Sequence, residues 1–229
     1  MKYLFFFVHP SKYHLYRITI NELLRKGHEV KILITSKDVL EDLVKNEGWD
    51  FINIFPEGRK IKGLNAKFSA FINTFRTLSR INSYIKNKKY DLFITDDLLT
   101  ITGRIKRIPS ILFQDDDITA VPESILVLAT AKYILAPICT NFNYYNKRKI
   151  GFNGFKASAY LHPNHFKPDI GVLNKYDLKN KRFFIIRLVS LTATHDTGKK
   201  GLDDEDVDTI IDKLIPLGEV IISTQRPLS

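Results

Sequence analysis

Short apolar runs alternate with amphipathic helical patterns from the first residues of the chain, and few architectures accommodate that alternation. Tyr3–Val8 is apolar throughout, as a strand is when both faces of its sheet are covered. Ser11 can cap a helix on which Tyr16, Ile20, Leu23 and Leu24 fall at helical spacing, and Gly27 is placed to end it in the left-handed conformation. The pattern repeats. Residues 29–35 predict a second strand, Ser36 caps a helix through Leu40 and Val44, and residues 51–55 predict a third strand. A long helix then carries Phe68, Phe71, Ile72, Phe75, Leu78, Ile81 and Ile85 along one stripe, read here as core. Residues 91–95, 110–113 and 132–136 bring the strands to six. Strands separated by helices of this length require right-handed crossovers, hence a parallel sheet.

After Pro137 the periodicity lapses until Arg182. Residues 183–189 then read as a strand, Leu202 to Ile215 as a helix ended by Gly218, and residues 219–223 as another strand. Two strands and a helix cannot bury both faces of a sheet. The organisation expected is a first domain over 1–149, a connector over 150–181 and the start of a second domain over 182–229. The fold class is α/β, with one complete Rossmann-like parallel-sheet domain and an incomplete second one.

A single cysteine, Cys139, excludes an intramolecular disulfide and fits a reducing compartment; it reads as a buried small apolar residue. The opening MKYLFFFVHP is too short in its apolar part for a secretory signal, and no run approaches a membrane span. A cytoplasmic protein is expected. The net charge of +10 gathers in Arg59-Lys60-Ile61-Lys62, Lys86–Lys89, Arg104-Ile105-Lys106-Arg107 and Lys147-Arg148-Lys149. Solubility accounts for most of it, and contact with an anionic membrane face is the sharper reading. No motif or aromatic-rich basic stripe points to nucleic acid.

Six segments carry a family resemblance: HPSKYHLY at 9–16, LLRKGHEV at 23–30, DDD at 115–117, GFKASAYLHPNHFKPD at 154–169, RLVSLTATHDTGKKGL at 187–202 and EVIISTQRPL at 219–228. In that order they resemble an uncharacterised prokaryotic family, domain of unknown function 354. Its members look like GT-B-type glycosyltransferases and are similar to non-hydrolysing UDP-N-acetylglucosamine 2-epimerases. The chain corresponds to the amino-terminal two-thirds of such proteins. The resemblance implies a nucleotide-sugar as substrate with no further cofactor, a sugar or lipid-linked acceptor, and a role in surface-polysaccharide biosynthesis. It also implies that most of the donor-binding loops lie beyond Ser229. Epimerisation of a UDP-sugar and an inactive truncated homologue serving as a binding module are the alternatives.

His9 follows the first strand at its carboxyl end, where open α/β sheets bind ligands. His9 or His14 can serve as base on an acceptor hydroxyl, although His9-Pro10 can equally just shape the turn and His14 ride the helix surface. Asp115 and Asp117 follow the fifth strand on the same side. As substrate-binding candidates they suit capping the next helix or orienting a cleft histidine better than holding a metal, and three clustered carboxylates call for a basic partner. In the second unit Arg187, Ser190, Thr194 and Gly198 suit a phosphate grip, and the His195-Asp196 pair suits proton transfer. No glycine-rich dinucleotide loop or P-loop is present.

Overall fold

A computed structural model describes residues 1–59, 66–189 and 201–224 of the chain. The chain divides into two compact units, Met1–Phe166 and Lys167–Ser229.

In the first unit the strands are β1 (Lys2–Phe7), β2 (Glu29–Ile34), β3 (Phe51–Asn53), β4 (Leu92–Thr95), β5 (Ser110–Phe113), β6 (Tyr133–Pro137) and β7 (Lys149–Phe152). All pair in parallel, in the order β3-β2-β1-β4-β5-β6-β7. The crossovers carry α1 (Pro10–Arg25), α2 (Leu40–Asn46), α3 (Ala66–Ile85), α4 (Leu99–Lys106) and α5 (Ile125–Thr130), and α6 (Ser158–Leu161) follows β7. Strand order reverses between β1 and β4. At such a switch point the flanking connections leave on opposite faces and open a crevice beyond the carboxyl ends of the strands.

The pleat divides β1 between two cores. Phe5 and Phe7 pack with Tyr16, Ile20, Ile32, Ile34 and Phe113 on one face. Leu4 and Phe6 pack with Leu33, Phe55, Ile81, Ile85 and Phe93 on the other. Each such aromatic side chain contributes about 2 kcal/mol by leaving water, so an all-apolar strand becomes the centre of a two-sided sheet.

Three features differ from the sequence reading. β7 is a seventh strand in a stretch read as connector. Its sequence, KIGF, places a lysine and a glycine where a buried strand would be apolar, and it occupies the sheet edge. On α3 only the carboxyl-terminal half of the stripe is core: Ile81 and Ile85 are buried, whereas Phe68, Phe71 and Phe75 are 53%, 60% and 59% exposed. Midway along α3 the Thr77 hydroxyl accepts a bond from Arg59, itself paired with Asp97 just past β4. Among the described residues Phe71 and Phe75 belong to none of the three core clusters and their rings pack on each other. Cys139, read as buried, is exposed in the turn after β6.

The second unit contains α7 (Gly171–Lys175), β8 (Phe183–Leu188), α8 (Asp204–Leu214) and β9 (Glu219–Thr224). Among the described residues β8 pairs only with β9, in parallel, from Phe183↔Glu219 to Leu188↔Thr224. Asp203 and Asp206 cap α8 reciprocally, each side chain accepting from the other's backbone N–H. This is a βαβ unit with its own two-stranded sheet.

Candidate functional site

The carboxyl ends of β1, β4 and β5 gather the polar side chains of the first unit. Thr95 joins the two strands at the switch point: its hydroxyl donates to the Phe6 carbonyl at 2.7 Å and accepts from the Asp97 N–H at 2.9 Å. Asp96 is thereby set just beyond β4, Asp115 just beyond β5 and His9 just beyond β1. The first turns of α1 bring in Lys12 and Tyr16, and the loop before α6 brings in Lys156.

Lys12 is the centre of the cluster. Its side chain is only 9% exposed, its Nζ lies 3.3 Å from Asp115 Oδ1, and it stands 4.9 Å above the Phe113 ring. Asp115 accepts on its other oxygen from Lys156 at 2.6 Å. A buried ammonium needs such partners, because desolvation costs several kcal/mol per ion. Burial pushes the Asp115 carboxyl up, but the Lys12 charge and the bonds from Lys156 and Lys12 outweigh it and hold the carboxyl below its ordinary value.

Asp96 is shifted the other way. Burial pushes it up to about 6, Lys12 pulls it down in part, and Asp97 adds to the rise. Its Oδ1 is fully buried and makes no hydrogen bond, and the same holds for the Tyr16 hydroxyl. Burial raises the Tyr16 phenol well above its ordinary value, and the charges of Asp96 and Asp115 add to this. Buried polar atoms without partners are uncommon. The Asp96 Oδ1 and the Tyr16 hydroxyl are two such atoms at the strand ends of the switch point.

His9 caps α1 with Pro10 at the first helical position. Its Nδ1 accepts from the Ser11 N–H at 3.1 Å and lies 3.0 Å from the Ser11 hydroxyl. That network puts the proton of the neutral ring on Nε2, so the ring offers a donor, not the lone pair a base requires. Burial, followed by the charge of Lys37, lowers its pKa and favours the neutral form.

The remaining sequence candidates disperse. His14 is on the exposed side of α1, its ring 5.4 Å from that of Tyr160. Asp117 accepts from the Asn141 N–H at 2.6 Å and holds the turn after β6. Arg187 is exposed on β8, donating to the Ser223 hydroxyl at 2.7 Å. Ser190, Thr194, His195, Asp196 and Gly198 lie outside the described residues. Among the described residues no group of three His, Cys, Asp or Glu side chains has the arrangement of a metal site.

Lys12, Asp96 and Lys156 were absent from the sequence candidates. Thr95-Asp96-Asp97 carries the signal that singled out Asp115, namely acids directly after an apolar strand. Lys12 sits within HPSKYHLY, but nothing in the sequence distinguishes a buried lysine from a solvated one. Lys156 reaches Asp115 only through the fold.

A seven-stranded parallel sheet with charged side chains at its switch point, together with a βαβ unit that has its own two-stranded sheet, defines a GT-B-like α/β architecture. No family model and no curated protein matches the chain. Solved structures do. A Listeria monocytogenes protein assigned as a UDP-N-acetylglucosamine 2-epimerase is similar with a TM-score of 0.66 at 12% identity, over 100% of this chain and 63% of its own. The UDP-GlcNAc 2-epimerase from Neisseria meningitidis, bound to UDP-GlcNAc, is similar with a TM-score of 0.60 at 12% identity, over 99% and 73%. The glycotransferase of kitacinnamycin is similar with a TM-score of 0.56 at 15% identity, over 98% and 65%. The chain thus spans roughly two thirds of the length of the structures it resembles.

Proposed function

We propose that this chain belongs to a GT-B-like enzyme acting on a nucleotide-sugar, with the first unit supplying proton-transfer chemistry from Asp96, Lys12 and Asp115. The observation that carries the reading is the opposed shift of two carboxyls around one buried lysine at the switch point. Groups pushed apart in this way divide acid and base roles. A carboxyl titrating at about 6 is largely ionised at neutral pH yet basic enough to accept a proton. Asp115, held ionised, fixes the position and charge of Lys12.

For glycosyl transfer, an acceptor hydroxyl loses its proton to Asp96 as it attacks the anomeric carbon, and the nucleoside diphosphate leaves. The acceptor is a sugar or a lipid-linked sugar, as the domain of unknown function 354 resemblance implies, with surface polysaccharide as the product class. Arg187 suits a phosphate-binding role in the second unit. Epimerisation at C2 of a UDP-sugar is the second reading, favoured because removal and return of a carbon-bound proton needs an acid and a base together. Both assign the same residues.

The test is incubation with UDP-sugars, with and without acceptor, followed by NMR. Consumption only with acceptor identifies transfer, and C2 inversion without one identifies epimerisation. Asp96→Asn should lower turnover by about 100-fold, typical of a lost general base, while UDP-sugar binding by calorimetry is retained. Absence of binding heat at millimolar UDP-sugar would overturn the nucleotide-sugar reading for this chain.

A further inference from the structure

At the opposite pole of the first unit, by the amino-terminal ends of β5 and β6, α4 and α5 border a groove of about 600 Å³. Arg104, Arg107, Lys132 and Arg148 line it with Tyr144 and Tyr145, and no carboxylate does. Part of this charge has a structural task. Arg148 donates to the carbonyls of Leu128, Ala129 and Ala131 and so caps α5. Arg104 lies in the last turn of α4, where a cation complements the helix dipole. Arg107 is the C-cap of α4, where its backbone N–H rather than its side chain bonds the Gly103 carbonyl, and Lys132 lies past the end of α5. Among the described residues the side chains of Arg104 and Arg107 have no ion-pair or hydrogen-bond partner, and the Lys132 ammonium overlies the Tyr133 ring.

Tyr144 lines the groove, and further large apolar side chains are exposed outside its lining on α4 and α5. Ile105 is 69% exposed and Tyr144 72%, and Ile125 and Leu126 project from α5. A free phosphate would use the cations and leave the apolar groups in water. The interfacial zone of a bilayer matches both, with anionic headgroups for the arginines and the acyl boundary for isoleucine, leucine and tyrosine. No described helix is long and apolar enough to cross a membrane, which leaves surface docking.

We infer that the α4–α5 face of the first unit docks on an anionic lipid surface. Docking there leaves the switch-point crevice, at the other ends of the strands, open to its substrates. The inference rests on this face alone and not on the reaction proposed above.

The experiment is co-sedimentation of the full chain with phosphatidylcholine vesicles containing zero or about 30 mol% phosphatidylglycerol at about 0.1 M salt. Binding is expected only to the anionic vesicles. Arg104→Gln/Arg107→Gln/Lys132→Gln should weaken it by about 100-fold, about fivefold per cation removed. Ile105→Ser should reduce the fraction that survives high salt. Thermal melting of each variant, unchanged from the wild type, shows that folding is intact. Absence of binding to anionic vesicles would overturn the inference, as would a triple variant that binds like the wild type. Equal binding to a soluble polyanion such as heparin, or full competition by inorganic phosphate at matched ionic strength, would assign the groove to soluble anions and overturn it too.

Discussion

An aspartate whose Oδ1 is buried without a hydrogen bond works against the fold whenever it is charged. Asp96 holds its proton to about pH 6, whereas its ordinary value is 3.8. Between those values the native chain binds more protons than the unfolded one. The fold therefore loses stability as the pH rises through that window. A shift of this size corresponds to at most about 3 kcal/mol, and less in effect because the residue as a whole is only half-buried. Asp96→Asn, which keeps the shape and removes the charge, should melt several degrees above the wild type near pH 8. The gap should close by about pH 4, in scanning calorimetry across pH. A gap that does not vary with pH would show that Asp96 is not the source of the strain. A stabilising substitution that also lowers turnover is the signature of a group retained for chemistry rather than for folding.

At the scale of elements, α1 shows how one residue can be essential to a site without performing its chemistry. His9 takes the cap position, with Pro10 after it and the Ser11 N–H bonded to its ring. The helix so started carries Lys12 and Tyr16 to the strand ends. Asparagine also caps helices well, and alanine does not. His9→Ala should cost about 1 kcal/mol in urea unfolding, and His9→Asn clearly less. If the ring only caps, His9→Asn keeps turnover near that of the wild type; if Nε2–H contacts the substrate, turnover falls while stability holds. The same elements show what the chain makes legible. Apolar runs such as residues 3–8 announce their strands because burial on two faces leaves no polar position to confuse the pattern. β7 was hidden because an edge strand tolerates a lysine and a glycine. The phenylalanines of α3 misled because helical period reports a stripe but not how far the partner sheet extends beneath it. Asp115 was legible from its place after an apolar strand, and its basic partners were foreseen as a need but not by residue. Lys12 and Lys156 converge on Asp115 across 103 and 41 positions of sequence, respectively, a proximity that local pattern does not encode.

For the whole molecule, the two units differ in how much core each encloses. Met1–Phe166 closes a seven-stranded sheet between helices and contains three apolar clusters. In Lys167–Ser229 the buried apolar side chains among the described residues are Leu178, Leu188 and Val207, while Ile185, Ile215 and Leu217 stay more than half exposed. Two strands and one helix bury too little apolar surface to offset the conformational entropy of ordering them. The two units should therefore separate in stability. A fragment of residues 1–166 should unfold cooperatively in urea with far-UV circular dichroism typical of α/β structure, since a domain of this size buries most of the surface its unfolded chain exposes. A fragment of residues 167–229 should give no cooperative transition. In the full chain, amide exchange should be slow through β1, β4 and β5 and fast through β8 and β9, because protection follows the free energy of local opening. Equal protection in both sheets would mean that β8 and β9 draw stability from contacts beyond their own unit.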